Sequence, residues 1–426
     1  MKNKLTRGAL PLLLCVCASA FGQSNPIEGG TTEFVSDQWV VPLPWLMVGS
    51  NSESNGLYVS GDGRVDSLIG VIGNNASSTG NSAFVSGPNA VWNSSMEIAV
   101  GNYGADNSMA AFDGGLIETP ELDVGKYSTN NFAMAFGEGS EIKATTLRVG
   151  QTGASNSLSA ADGGRITSEK GTLGYWIGSD GNTAAAMGEG SVWSNSGALA
   201  VGEYGSDNSL MAVDGGRIET AALNLGVQTD SANNSAFVMG AGAVIAADQL
   251  NIGGTADAAG GIGNRVSVLD GGRVETRDLV IHDGNALDLN AGGTFAINND
   301  FNASMNGFKF NTGGSLEVGG ELTGMTSIIQ GRRSVSLEGT NALWNVSSTL
   351  YLGYPTDGGG NSLNIGGGGV VDGTHVNVGT YNDHNTLRIS GSTSVLNLTG
   401  GMGVGGVGDE NALYITNGGT CVSTAG

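Results

Sequence analysis

The sequence predicts an all-β chain wound as a parallel β-solenoid, also called a β-helix. Three observations carry this. Glycine fills 75 of 426 positions, about 18% against an average near 7%. An apolar residue followed by Gly recurs about every 25 residues. Within each repeat the apolar residues alternate with a period of two, the strand period rather than the helix period.

The apolar–Gly pair falls at Val48-Gly49, Ile72-Gly73, Val100-Gly101, Val124-Gly125, Val149-Gly150, Ile177-Gly178, Val201-Gly202, Leu225-Gly226 and Ile252-Gly253. It returns at Leu352-Gly353, Val378-Gly379 and Val404-Gly405. Each unit has one layout. An alternation such as Leu199-Ala200-Val201 ends at Gly202. After a polar loop come Asn208 and a second alternation, Ser209-Leu210-Met211-Ala212-Val213. A Gly-containing turn then leads to a third short piece at Arg217-Ile218. Three short strands in about 25 residues make one coil, expected to be right-handed. A single coil cannot bury its inward face, whereas stacked coils share a continuous core. A propeller blade needs about 40 residues, and a leucine-rich repeat needs a Leu spacing that is absent here.

The turns alternate between two types. Asp113-Gly114-Gly115, Asp162-Gly163-Gly164, Asp214-Gly215-Gly216 and Asp270-Gly271-Gly272 are one. Gly137-Glu138-Gly139-Ser140, Gly188-Glu189-Gly190-Ser191 and Gly240-Ala241-Gly242-Ala243 are the other. The larger unit is therefore two coils.

Five segments follow. Residues 1–20 read as a secretory signal peptide: Lys2, Lys4 and Arg7 precede the apolar run Leu10 to Ala18, and Ala18-Ser19-Ala20 offers a small-residue cleavage site. Residues 21–45, with Trp39, Pro42, Pro44 and Trp45, are expected to cap the N-terminal end. Residues 46–281 form the first repeat block. In 282–335 the pattern degrades around Phe295, Phe301, Phe308 and Phe310, predicting irregular coils. Residues 336–426 form a second block, which stops inside a repeat.

The net charge is −22. Removing the leader takes three basic residues and no acidic ones, leaving 14 − 39 = −25. Such a surface repels nucleic acid and anionic lipid. No later stretch approaches the roughly 20 apolar residues of a membrane-spanning helix. Cys421 alone would remain, so no intramolecular disulfide is expected.

The pattern Val-Gly, loop, Asn-Ser-Leu, then Asp-Gly-Gly-Arg-Ile, best seen from Gly202 to Thr220, resembles the repeat of bacterial type V secretion (autotransporter) passengers and PEP-CTERM-associated surface proteins. The Trp variant Gly190-Ser191-Val192-Trp193 fits too. The resemblance covers about 46–281 and 336–426. It implies export to the outer surface of a Gram-negative-type bacterium. The chain departs from it in having neither a terminal β-barrel nor a Pro-Glu-Pro sorting signal, so a fragment or a lost anchor is expected.

The candidate site residues all have a bland reading. Asn107, Asn131, Asn156, Asn182, Asn208 and Asn234 should stack as an amide ladder, which favours turn stabilisation over sugar recognition. The Asp-Gly-Gly carboxylates, two coils apart at about 9–10 Å, approach the spacing of an inverting glycosidase. They recur four times, however, and Asp before Gly is an ordinary turn signal. Arg165, Arg217 and Arg273 follow those turns and would screen them. Gly405-Gly406-Val407-Gly408-Asp409 lacks the tandem nine-residue period of a calcium β-roll. Gly403 to Gly408 matches a dinucleotide fingerprint without its helix. His282, His375 and His384 show no metal-ligand spacing. Catalytic, cofactor-binding and metal-binding residues are therefore all expected to be none.

The function expected is a secreted or surface-displayed structural or adhesive passenger, not an enzyme and without a cofactor. The alternatives are a polysaccharide-active lyase or hydrolase, and a carbohydrate- or cation-binding module without chemistry. The partners would be extracellular polysaccharide or other cell-surface components. Self-association is expected through an open C-terminal coil whose Ile415 and Val422 face the core.

Overall fold

The structure is a computed structural model. It describes residues 25–289 except 43 and 283, the segments 293–297, 301–303, 308–310, 315–318, 327–329, 334–339 and 343–353, and residues 359–424. The expected signal peptide, 1–20, lies outside the described residues, as do the connections within 282–335. The described residues form strands and turns with no helix, so none is long and apolar enough to cross a membrane.

All strands pair in parallel with the strand one coil away, as a β-solenoid requires. Each coil contributes one five-residue strand to a first stack, such as Ser108–Phe112, Phe132–Phe136, Ser157–Ala161 and Thr183–Met187. This stack runs through sixteen strands among the described residues. Register partners Ser108, Phe132, Ser157, Thr183 and Ser209 are 24, 25, 26 and 26 residues apart. The expected coil length is what the ladder shows.

The third piece of one unit and the first piece of the next differ from expectation. They are usually one strand of nine or ten residues, as in Leu116–Val124 and Arg217–Leu225. In Leu116–Val124 the inward residues are Ile117 and Thr119, then Leu122 and Val124. The alternation slips by one at Pro120 and Glu121, so the strand bends there and turns a second face to the core. The break becomes complete where Arg165–Ser168 and Lys170–Leu173 are separate strands. Three strands of ten residues, Val91–Val100, Val192–Val201 and Leu343–Leu352, carry a bulge at the bend and a buried Trp at the second position: Trp92, Trp193 and Trp344. Two of these indoles fit because the preceding coil has glycine opposite. A Cβ at Gly70 would lie 2.4 Å from Trp92, and one at Gly171 2.9 Å from Trp193. Their indole N–H groups donate to Ser67 and Ser168 at 3.2 and 3.0 Å.

Within 21–45, Thr32–Val35 and Gln38–Val40 pair in register with Gly56–Ser60 and Arg64–Ile72, and Trp39 is buried. At the other end, Ile415 continues the inward column of Ile389. The expectation for Val422 is corrected. Strand Thr420–Ser423 pairs so that Cys421 follows the inward Leu396 and Val422 follows the outward Asn397. A one-residue difference in where a strand starts exchanges its faces.

The first stack has an unusual outer surface. Eight consecutive strands, from Gly56–Ser60 to Ser235–Met239, contain no charged residue. Phe84, Phe112 and Phe136 line up on their outer side at 5.6 and 6.3 Å between ring centres. Charge is concentrated on the bent sheet and the loops.

Candidate functional site

The repeated polar residues are consumed inside the coil stack. Asn55, Asn81, Asn107, Asn131, Asn156, Asn182, Asn208, Asn234, Asn264 and Asn285 form one buried ladder. From Asn81 onward each side-chain oxygen accepts twice from the Asn one coil before it, while the Asn55 oxygen accepts from the Gly30 and Thr31 backbone N–H groups. The Asn182 oxygen takes the Asn156 backbone N–H at 2.9 Å and its side-chain amide at 3.1 Å. Asn361, Asn385 and Asn411 repeat the motif. A buried ladder with its acceptors filled is structural, and its amides have no access to a sugar.

The Asp-Gly-Gly carboxylates are exposed turn residues. Asp113, Asp162, Asp214 and Asp270 have φ of 49°, 49°, 47° and 52°, a left-handed backbone that Asp tolerates. The second turn type interlocks with the first: the Ser140 hydroxyl accepts from Gly114 N–H, and the Ser191 hydroxyl from Gly163 N–H, both at 3.0 Å. The arginines after these turns find glutamates on the sheet. Arg165 lies 3.8 Å from Glu141, while Arg217 and Arg273 pair with Glu219 and Glu275 at 2.5 and 2.8 Å. This replaces their expected role as a screen for the turn carboxylates. His282 contacts the Thr255 carbonyl at 2.7 Å, and His384 pairs with Glu410 at 2.9 Å. Among the described residues no group of three or more His, Cys, Asp or Glu is placed to hold a metal ion. The strand Met402–Val404 takes up only the first two residues of the glycine-rich 403–408 stretch, and bends follow it.

Stacking also creates a cluster that the sequence reading missed. Glu97, Glu121, Asp123, Lys126 and Arg148 come from three successive coils. Glu97 pairs with Glu121 in register, and Asp123 with Arg148. Lys126 binds Glu97, and Arg148 binds Glu121. Arg148 also donates to Asp123 at 3.1 Å, and the Lys126 ammonium stands 3.7 Å from the other Asp123 oxygen. That oxygen is buried with no hydrogen bond. The Asp123 side chain is 0% exposed. Burial pushes its pKa up to about 6, against the pull of Arg148 and Lys126. Burial works against the charge of both cations, but their carboxylate partners outweigh it and hold them above their ordinary values. Burial also raises Glu203, while Arg148 opposes that rise.

An aromatic stripe borders this cluster. It lies in the loops two residues after the stacked glycines Gly101, Gly125, Gly174 and Gly202, at Tyr103, Tyr127, Trp176 and Tyr204, with Thr152 in the intervening coil; the expected pair Ile177-Gly178 is corrected to Leu173-Gly174, since Gly174 lies against Asn208 and Ile177 is exposed. Backbone bonds fix the register: Tyr127 N–H to Asn102 O at 3.0 Å, Thr152 N–H to Lys126 O at 2.9 Å, and Trp176 N–H to Gln151 O at 2.9 Å. Tyr103 and Tyr127 stack at 5.0 Å with 19° between planes, and Trp176 and Tyr204 at 5.5 Å with 28°. Tyr103, Tyr127 and Trp176 are 54%, 45% and 44% exposed. Arg148 reaches the stripe through Tyr175: its guanidinium lies 5.1 Å from the centre of the Tyr175 ring, which meets Trp176 edge-on at 5.0 Å. Beside Glu203 is a shallow open depression of about 470 Å³, lined by Lys170, Thr172, Asn224 and Val227 among others. The sequence signal was an aromatic residue recurring at one position of the repeat.

No family model matches the chain. No curated protein matches it. Among solved structures the chain is similar to a TibC-catalysed, hyper-glycosylated TibA fragment, at 13% identity and a TM-score of 0.33, over 87% of this chain and 97% of that one. A likeness at that level carries no argument about the site.

Proposed function

We propose that this chain is an exported, surface-displayed passenger with a structural or adhesive role and no catalytic activity. The observation that carries the reading is how the polar residues are used. The repeated Asn side chains are locked into the stack, the turn aspartates are exposed singly, and the one strongly perturbed carboxylate among the described residues, Asp123, is buried between two cations. A general acid or nucleophile must reach its substrate, and Asp123 cannot do so without breaking its cluster. What remains for a ligand is the outer surface of a regular stack, where loops present side chains at coil spacing. The basic start, apolar run and small-residue site of residues 1–20 support export.

The experiment has two arms. Cells expressing the full gene are tested for protease-accessible protein on the surface and for attachment to polysaccharide-coated surfaces. The purified protein is tested for release of reducing ends or unsaturated products from soluble polysaccharides. Surface protein with attachment and no product release is the expected result. Product release that tracks the pure protein overturns the non-catalytic reading, and absence of the protein from the exported fractions overturns the display reading.

A further inference from the structure

We propose that the loop stripe Tyr103, Tyr127, Trp176 and Tyr204 is a binding site for an extended, uncharged polysaccharide chain lying along the solenoid axis. The inference rests on the adhesive reading and names its ligand class.

Coils repeat at about 4.8 Å, and the stripe spans four coil steps, so it extends about 19 Å. Its rings are neither buried nor random in orientation. The two ring planes of each stacked pair are nearly parallel, at 19° and 28°, so each pair presents a continuous rim along the axis. The coil step is comparable to the advance of one pyranose residue in an extended chain. A polymer aligned with the axis would therefore meet successive loops with successive residues, covering about five coils.

Stacking covers much of each ring face and leaves the weakly positive ring edges to solvent. A pyranose offers both an apolar C–H surface that packs along such a rim and hydroxyl oxygens that its edges attract. The hydroxyl groups at the ring edge then need polar partners beside the aromatic row. Asn102, Gln151, Thr152 and Gln228 stand in the same loops, half-buried or exposed. Side chains held by a stacked backbone lose little freedom on binding, which favours a rigid row over mobile loops.

Charge selects an uncharged polymer. The chain carries −22 overall, which repels polyanions. The two cations beside the stripe are committed to carboxylates: Lys126 to Glu97 and Asp123, and Arg148 to Glu121 and Asp123. Claiming either one for an acidic sugar would strip the buried Asp123 of one of its two cations and take the cation from Glu97 or Glu121.

The test is affinity electrophoresis of the exported full chain through gels containing hydroxyethylcellulose, galactomannan or polygalacturonate. Retardation by at least one of the two neutral polymers and none by polygalacturonate is expected. Trp176→Ala and Tyr127→Ala should each weaken that binding by about tenfold, the size of a typical hot-spot truncation. Trp176→Phe should retain most of it. Tyr58→Ala, on the other sheet, should retain all of it. Circular dichroism and thermal melts confirm that each variant is folded. Folded Trp176→Ala and Tyr127→Ala proteins that bind as the parent does overturn the stripe as the site while leaving adhesion intact. Equal or stronger retardation by polygalacturonate overturns the uncharged class. Failure to bind any of the three polymers, with cell attachment preserved, overturns the polysaccharide ligand and leaves the adhesive reading standing on another partner.

Discussion

Gly125 is the space that Asn156 occupies. A Cβ built on Gly125 would stand 2.1 Å from the Cγ and Nδ2 of Asn156, one coil further along. The same relation joins Gly49 to Asn81, Gly101 to Asn131, Gly150 to Asn182 and Gly202 to Asn234. The apolar–Gly pair and the recurring Asn are thus two halves of one contact. This predicts that Gly125→Ala destabilises the fold by more than about 1 kcal/mol, since the site also has φ of +76°. Asn156→Ala should cost about 2–4 kcal/mol, because the Asn131 backbone N–H and side-chain amide lose their shared acceptor. The double variant should cost less than the sum, because removing the amide relieves the clash. Denaturant melts of the four proteins measure the coupling. Strict additivity would mean that the two residues do not share the space.

Leu210 and Asp214 separate core from turn. Leu210 is fully buried, so Leu210→Asp would place an unpaired charge in the stack and cost several kcal/mol. Asp214 is exposed, with φ of 47°. Asp214→Ala should cost about 1 kcal/mol, and Asp214→Gly less, because only glycine adopts that backbone freely. Thermal melts in the reverse order would mean that the faces of this strand are inverted.

Trp193 is held by a glycine and a hydroxyl. Trp193→Ala should cost about 3–5 kcal/mol as a core truncation. Ser168→Ala should cost about 1–3 kcal/mol by orphaning the buried indole N–H. Gly171→Ala should also be destabilising, its Cβ falling 2.6 Å from the Leu199 Cδ1 and 2.9 Å from the Trp193 ring, and replacing Trp193 by Leu in the same chain should recover only the part due to the indole. Urea titrations of the single and double variants check the rescue.

Asp123 gives the protein a pH signature. Its folded-state pKa of about 6 lies above the ordinary value of 3.8, so between these two values the fold binds more protons than the unfolded chain. The stability linked to this group is present below pH 4 and is lost as pH rises towards 6. Carboxylates with lowered values, such as Glu28 and Asp66, act in the opposite sense, so the comparison must be made against a variant. Asp123→Asn should gain stability relative to the parent by on the order of 1–3 kcal/mol between pH 4 and pH 7. Glu97 and Glu121 remain there as partners for Lys126 and Arg148. Melting temperatures of both proteins across that range provide the measurement, and parallel curves would refute the raised value.

The sequence by itself determined the period, the strand character and the polar ladder. Alternation at Leu210 and Ala212 is a local signal, and an Asn recurring every coil must stack once coils stack. The Asp-Gly-Gly turns were legible for the same reason, since left-handed backbone is a single-residue property. Only the tertiary structure decided what meets from one coil to the next, 22 residues apart for Gly171 and Trp193 and 31 for Gly125 and Asn156. The Gly125–Asn156 fit, the Gly171 notch for Trp193, the closure of Glu97, Glu121, Lys126 and Arg148 around Asp123, and the row from Tyr103 to Tyr204 all depend on which residue of one coil lies over which residue of the next. Coil lengths vary by a few residues, so counting along the chain does not fix that pairing. Val422 shows the consequence, because a strand that starts one residue later exchanges its inner and outer faces. The backbone ladder between coils sets the register, and with it the surface that a ligand would meet.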